Sequence, residues 1–249
     1  NRTVAYIVPK PTEKSAPANE PAASPESLAR GKSILESARA AIGATSLKFK
    51  DYTAKSSGEL SVGQTLKAEF SEQVLLPDKI RSEIKIPAAG QTVIQALDGD
   101  SGWVQQGGRS TDAPAPEVKE LKDGMYRSII QLFLALPDGS EPSAQAQPDQ
   151  DVEGKPADVA LVSGPGDIKM TLFFDKSTHR LAKAEYQTSH PLTRQPAKAE
   201  EVFSDYRQQD GLWIPFHTVL SFNGEKFADE TMTDFKLNTG LTESIFKKQ

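Results

Sequence analysis

Apolar and polar residues alternate along much of this chain, which is the pattern of β-strands with one buried face. A proline–aspartate turn at residues 77–78 separates the first two clear strands. Their apolar positions each keep to one parity: Leu66, Ala68, Phe70, Val74 and Leu76 in the first, and Ile80, Ile84 and Ile86 in the second. The pattern predicts long antiparallel strands in meander order, apolar on one side and wet on the other.

The same alternation predicts further strands before and after this region. They cover residues 47–61, 93–97, 103–105, 157–162, 168–174, 181–188, 202–206, 214–222 and 226–237. The pairs Asp98-Gly99 and Asn223-Gly224 are typical of tight hairpin turns. Two segments lack apolar periodicity and are predicted to be loops, residues 107–116 and the Gln- and Pro-rich residues 140–156, the second of them mobile.

Two segments have apolar residues at helical spacing. The first begins at Ser24-Pro25, a typical N-cap followed by proline in the first turn, and ends at Gly43. The second covers residues 118–136, and its C-terminal half is apolar on nearly all sides, which is typical of a helix buried on most sides. We interpret this second helix either as fixed core or as a lid over the concave face of the sheet.

The elements follow the order helix, strands, helix, strands, without the β-α-β alternation of a parallel sheet. This order predicts an α+β fold that is mainly β. We expect a curved antiparallel sheet of about 10–11 strands that forms a half-open barrel, with the N-terminal and mid-chain helices packed in its concave face. Residues 11–24 are rich in Pro, Ala and charge, so we predict a linker between a short strand or tail at residues 1–10 and a domain at residues 25–249.

Composition narrows the possible functions. The 249 residues have a formal net charge of −5 with both signs interspersed, which argues against a nucleic-acid partner. The sequence contains no cysteine, so disulfides and thiolate metal sites are excluded. No apolar run approaches the ~18 residues of a membrane-spanning helix, and no motif indicates a cofactor.

Four short stretches resemble a known family. They are residues 76–81 (LPDKIR), the Asp-Gly turn at 98–99 with Trp103, the strand–turn–strand at 168–186 and residues 205–215 (DYRQQDGLWIP). These stretches resemble the lipoprotein-carrier fold of the periplasmic LolA and LolB proteins and of their outer-membrane lipoprotein-sorting relatives. The resemblance implies an N-terminal helix, a strongly curved antiparallel sheet and helices that fill its concave face. The four stretches are turns and core positions, so they indicate fold more than function.

One position departs from the pattern of this family. In the lipoprotein-shuttling carrier an arginine directly precedes the proline of the second turn and helps to latch the lid, whereas this chain has Leu76 there. Arg81 lies on the solvent parity of the next strand and does not replace that arginine. The departure argues against true lipoprotein shuttling and leaves the idea of an apolar cavity intact.

The resemblance implies a non-enzymatic binding domain in the periplasm or another extracytoplasmic compartment. Its ligand would be a lipid, the acyl chain of a lipoprotein or another apolar molecule, bound by burial of apolar area at roughly 25 cal/mol per Å². Large apolar side chains either form the wall of such a cavity or belong to an ordinary core. These candidates are Phe70, Leu76, Ile84, Trp103, Met125, Ile129, Phe133, Met170, Phe174, Phe216 and Phe222.

A second interpretation follows from residues 1–10 (NRTVAYIVPK), which resemble the C-terminal end of an insulinase- or pitrilysin-like zinc peptidase domain. The chain would then be a non-catalytic accessory or interaction module, with an upstream peptidase domain on the same polypeptide as its partner. The sequence begins with Asn and shows no signal peptide, so we expect any targeting signal to be encoded upstream.

The sequence offers little evidence for catalysis. Residues 99–102 (GDSG) spell the nucleophile tetrad of serine proteases, but we interpret them as a hairpin turn. The three histidines, His179, His190 and His217, all follow late in the chain without a recognisable context for a general base. Neither HExxH nor HxxEH occurs, so the metal site of an upstream zinc peptidase would not lie in this chain. We expect a non-enzymatic domain without a metal site. The acidic residues in the last strand are interpreted as solvated edge charges: Asp229, Glu230 and Asp234.

Overall fold

One antiparallel sheet organises the described part of the chain, residues 23–248 of a computed structural model. Two α-helices accompany it, α1 (Pro25–Ile42) and α2 (Ala115–Phe133). The strands are β1 (Asp51–Ser61), β2 (Thr65–Leu75), β3 (Lys79–Ile86), β4 (Gln91–Asp98), β5 (Ser101–Gln106), β6 (Arg109–Asp112), β7 (Ser143–Val152), β8 (Lys155–Ser163), β9 (Lys169–Asp175), β10 (Leu181–Ser189), β11 (Pro196–Gln209), β12 (Leu212–Phe222) and β13 (Glu225–Leu237).

The strand order shows two meanders joined in the middle of the sheet. It runs β6-β5-β4-β3-β2-β1-β13-β12-β11-β10-β9-β8-β7, and every neighbouring pair is antiparallel. The pairing of β1 with β13 brings the two ends of the strand series together at the centre, while β6 and β7 remain unpaired edges of an open sheet. This arrangement confirms the expected open antiparallel sheet of an α+β fold.

The described residues form thirteen strands, so the expected number of 10–11 was too low. The two additional strands, β6 and β7, lie in the segments that were predicted to be loops. Gly107 and Gly108 both have positive φ and form the two-residue turn between β5 and β6. Glu153 and Gly154 form the corresponding turn between β7 and β8. The predictions failed because both strands are polar edge strands, and β7 also contains Pro148 at a register shift.

The first helix begins and ends as its sequence predicts. The Ser24 side chain accepts a hydrogen bond from the backbone N–H of Ser27 at 3.1 Å, and Gly43 adopts the left-handed conformation with φ 81°. The helix packs against β7, and the approach is close at Gly31, where an added Cβ would lie 2.5 Å from the backbone oxygen of Ala144. Its interior side is buried through Ile34, Leu35, Ala38 and Ile42.

The second helix contacts β4, β5 and β10 and ends earlier than predicted, because Leu134 adopts a left-handed conformation with φ 52°. Its buried residues are Met125, Ile129, Ile130 and Phe133. The Phe133 ring lies 4.3 Å from that of Phe49, 5.5 Å from Tyr52 and 6.3 Å from Phe235, measured between ring centroids. The C-terminal end of α2 is therefore anchored in the core, which favours the fixed-core interpretation for this half of the helix.

The C-terminal segment folds back onto the sheet. The buried carboxylate of Asp51 accepts hydrogen bonds from the Thr239 backbone and hydroxyl and from the Gly240 backbone. A 3₁₀ helix, Glu243–Phe246, follows, and the Trp103 indole donates to the Phe246 carbonyl at 2.6 Å. The chain therefore ends in a short helical turn, with Phe246 fully buried against the domain.

Some expectations fall outside the described residues. They are the strand or tail at residues 1–10, and the linker at residues 11–24 except for its last two positions. Within residues 23–248, neither helix combines the length and the hydropathy that crossing a membrane requires.

Candidate functional site

The main candidate site is a cleft between α2 and the middle of the sheet. We call the face of the sheet that packs on α2 the inner face, and it includes Tyr52, Val74 and Phe235. Two lobes of about 290 Å³ and about 380 Å³ lie between this face and the helix. Six residues line both lobes, Glu72, Ser82, Ser128, Gln131, Glu201 and Leu220, so we treat the lobes as one space, the central cleft.

Apolar side chains form much of the wall of the central cleft. They come from strands β2, β3, β5, β11, β12 and β13 and from α2, which makes the wall a product of tertiary packing. The apolar wall residues are Phe70, Ile80, Ile84, Val104, Leu121, Met125, Leu132, Phe203, Leu220, Phe222, Phe227 and Met232.

Three glutamates interrupt this apolar wall. Glu72 on β2, Glu201 on β11 and Glu230 on β13 lie on the inner-face parity of their strands, each half-buried. Strand pairing explains their position, because the register of β1 places Ala54 opposite Glu72 and Gly58 opposite Glu230.

Hydroxyl and amide groups hold the three carboxylates in place. The Tyr52 hydroxyl donates to Glu72 at 2.6 Å, and the Ser56 hydroxyl donates to Glu230 at 2.6 Å. Glu201 accepts hydrogen bonds from the Tyr186 hydroxyl at 2.5 Å and from the Gln131 amide on α2 at 2.9 Å. These partners are neutral, so they orient the carboxylates without cancelling their charge.

Burial shifts the protonation of Glu230 and Glu72. It raises the pKa of Glu230 to about 7; the nearby charges of Glu201 and Glu72 act in the same direction, and the Ser56 hydrogen bond opposes them. Burial also raises the pKa of Glu72, and it raises the pKa of the Tyr52 phenol well above its usual value with the help of the Glu72 charge. The three glutamates therefore interact with one another across the cleft.

Two ion pairs line one lobe of the cleft. Arg127 binds Glu120 at 2.5 Å and stacks over the Tyr186 ring, and Arg194 binds Glu117 at 3.1 Å. Each arginine is paired with a glutamate of α2 that lines the same lobe. The two pairs therefore add no net charge to the cleft.

The interpretation of Glu230 as a solvated edge charge was wrong. Strand β13 lies in the centre of the sheet between β1 and β12, and Glu230 points to the inner face. The other two acids of this strand are on the outer face and form ion pairs, Asp229 with Lys226 and Asp234 with Lys236. A sequence signal was present at Glu72, which occupies the same parity as Phe70 and Val74 but is charged.

The apolar residues that were predicted to line a cavity lie in three different environments in the structure. Phe70, Ile84, Met125 and Phe222 line the central cleft. Trp103 is on the outer face in a separate small cluster with Ile94 and Ala96. The remaining residues belong to the main core or pack against it: Leu76, Ile129, Phe133, Met170, Phe174 and Phe216.

A hydrogen-bonded Ser–His–Asp array lies on the outer face, which the sequence did not predict. The His217 ring is 2.9 Å from the Ser204 hydroxyl through Nδ1 and 2.9 Å from the Asp229 carboxylate through Nε2. The three residues come from adjacent strands, and Asp229 also binds Lys226 at 3.1 Å. The array is separate from residues 99–102, where Gly99 and Asp100 form the turn between β4 and β5 as expected.

Metal binding finds no support in the described residues, 23–248, which contain no group of three or more His, Cys, Asp or Glu side chains arranged to hold an ion.

Comparison with known proteins shows the fold. No protein-family model and no curated protein matches the sequence. Among solved structures, the LolA superfamily protein NE2245 from Nitrosomonas europaea is 14% identical, with a TM-score of 0.55 over 88% of this chain and 97% of that one. A putative outer membrane lipoprotein-sorting protein domain from Vibrio parahaemolyticus is 13% identical, with a TM-score of 0.55 over 88% and 97%. A DUF1329 family protein from Desulfovibrio piger is 14% identical, with a TM-score of 0.57 over 87% and 96%.

These likenesses span nearly the whole length of the solved structures. The chain therefore has the fold of LolA-superfamily and lipoprotein-sorting domains, which confirms the fold implied by the sequence resemblance. At 13–14% identity the likeness concerns the fold, and function has to be argued from the site itself.

Proposed function

We propose that this chain is a non-enzymatic, extracytoplasmic binding domain that holds a lipid, an acyl chain or another apolar ligand in the central cleft. The observation that carries the proposal is the cleft itself, whose lobes of about 290 Å³ and about 380 Å³ bring together the twelve large apolar side chains of its wall. Volumes of this order suit small ligands, whose pockets typically measure roughly 300–1,000 Å³. The fold supports the proposal, since lipoprotein-sorting domains share it.

The proposed mode of binding differs from lipoprotein shuttling in one respect. Leu76 occupies the position at which the family resemblance implies a latch arginine, and here it packs against the main core. A ligand would thus be retained by contact with the cleft walls and by the fixed position of α2. Burial of apolar area supplies the driving force, at roughly 25 cal/mol per Å².

A matched pair of substitutions on β12 tests this function. Leu220 lines both lobes of the cleft, whereas its neighbour Val219 points to the outer face. We expect the neutral fluorophore N-phenyl-1-naphthylamine to bind saturably and Leu220→Gln to weaken its binding about 5- to 30-fold, because loss of a leucine contact costs about 1–2 kcal/mol. Fluorescence titration provides the measurement.

Val219→Gln is the control and should leave the dissociation constant unchanged. Circular dichroism should show that both variants are folded. The proposal fails if the folded wild-type protein shows no saturable binding, or if both substitutions weaken binding equally.

A further inference from the structure

The charge of the central cleft does not suit every apolar ligand. Glu72, Glu201 and Glu230 project from three different strands into the same space and interact electrostatically. A fully apolar ligand would remove water from these carboxylates without replacing it, and buried charges without partners are costly. An anionic head group would add a fourth negative charge to this space.

The cations at the cleft do not offset these acids. Arg127 and Arg194 are bound by Glu120 and Glu117, as described above. Lys55 borders one lobe, and Glu83 at the same border is itself bound by Arg81 and Lys85. Lys55 itself has the outer-face parity of β1, opposite Asp234. The three inner-face carboxylates therefore leave the cleft with a net negative charge.

The hydrogen bonds that the three glutamates accept from neutral partners leave room for further donors from a ligand. Tyr52, Ser56, Tyr186 and Gln131 each donate one hydrogen bond, but a carboxylate has two oxygens and room for several donors. An ammonium group supplies up to three donors and one positive charge, so it satisfies acceptors on more than one carboxylate at once. The apolar wall next to the acids, with Phe70, Leu132 and Leu220, provides a surface for an alkyl chain.

We propose that the ligand of the central cleft is a cationic amphiphile, an alkyl or acyl chain that carries an ammonium head group. The chain lies against the apolar wall, and the head group lies among Glu72, Glu201 and Glu230. This inference rests on the proposed function, because it names the ligand class of the same cleft.

Three amphiphilic probes separate the inference from the proposed function. Decylammonium, decanoate and decyl maltoside differ in head-group charge and carry alkyl chains that differ in length by one carbon at most. Each probe is titrated against N-phenyl-1-naphthylamine bound to the full chain at pH 8, below its critical micelle concentration. We expect decylammonium to bind at least tenfold more tightly than decanoate, with decyl maltoside between them.

The triple variant Glu72→Gln, Glu201→Gln, Glu230→Gln should reduce the preference for decylammonium over decanoate to less than threefold. Glutamine keeps the size and the acceptor oxygen of each side chain, and Glu230→Gln alone should reduce the preference partially. The control Glu59→Gln, Glu69→Gln, Glu200→Gln changes the net charge equally on outer-face positions of β1, β2 and β11 and should retain the preference.

The outcomes distinguish the two claims. Equal affinity for the three probes overturns the cationic ligand and leaves apolar binding intact. Displacement by none of them overturns both claims. An equal loss of preference in the outer-face control overturns the assignment to the three glutamates, since it would show a general effect of net charge.

Discussion

Glu230 binds its proton more tightly in the folded chain than in water, because burial raises its pKa to about 7 from an ordinary value of 4.5. The charges of Glu201 and Glu72 reinforce this shift, and Ser56 opposes it. Between these two pKa values the folded state binds more protons than the unfolded state. The stabilising contribution is therefore fully present below about pH 4.5 and is lost as the pH rises through about 7.

Replacement of Glu230 tests this linkage. We expect Glu230→Gln to lose less stability than the wild type between pH 5 and pH 8, by about 1–3 kcal/mol, since one pKa unit corresponds to about 1.4 kcal/mol. Urea unfolding at the two pH values provides the measurement. In contrast, Asp229→Asn should lower stability at pH 8, because hydrogen bonds from His217 and Lys226 lower the pKa of Asp229. An identical pH dependence in the wild type and Glu230→Gln would contradict the burial of this carboxyl group.

Each of the two helices contains one glycine, and the space around that glycine differs between them. Gly31 of α1 lies against the backbone of β7, where an added Cβ would be 2.5 Å from the Ala144 oxygen and 2.8 Å from the Ala146 nitrogen. At Gly124 of α2, the closest atom to an added Cβ is the guanidinium of Arg127 at 3.7 Å. Close packing thus requires glycine in α1, whereas α2 has room for a side chain.

Alanine substitution at both glycines separates packing from helix propensity. Alanine is favoured over glycine in a helix by about 1 kcal/mol, so Gly124→Ala should raise the free energy of unfolding by up to that amount. Gly31→Ala should lower it by about 1–3 kcal/mol, because α1 must move away from β7. Chemical denaturation measures both changes. Stabilisation by both substitutions would show that α1 does not approach β7 closely.

The core of the protein depends on contacts between residues that are far apart in the sequence. β1 pairs with β13, and Asp51 at the start of β1 holds Thr239 and Gly240 near the C-terminus. The first and last strands are therefore paired with each other, and this pairing closes a loop that contains all the other strands. Because long-range pairing of this kind is slow to form, we expect folding to be slower than in a helical domain of similar size.

Limited proteolysis tests the domain boundary. The composition of residues 11–24 predicts a linker, and α1 begins at Pro25. Trypsin should cleave after Lys14 and leave a resistant core that begins at Ser15, because the next basic residue, Arg30, lies within α1. A protease of broad specificity should trim this core to a start close to Pro25, as identified by mass spectrometry. The trimmed protein should bind N-phenyl-1-naphthylamine as tightly as the full chain. Equal resistance of the first ten residues would show that they belong to the domain.

The local features of this protein could be predicted from its sequence. Period-two alternation predicted eleven of the thirteen strands, and the caps at Ser24 and Gly43 predicted the limits of α1. Such features depend on interactions between residues that are close in the chain, so they are visible without the fold.

Which residues meet in space depends on the tertiary structure. The edge strands β6 and β7 contain hardly any large apolar residues, so their pairing depends on tight turns and on neighbouring strands. The array of Ser204, His217 and Asp229 exists because three adjacent strands are in register. Glu230 resembles a surface charge in sequence, yet its strand lies at the centre of the sheet and turns it into the cleft. Strand order and register create these contacts, and neither is encoded in the periodicity of a single strand.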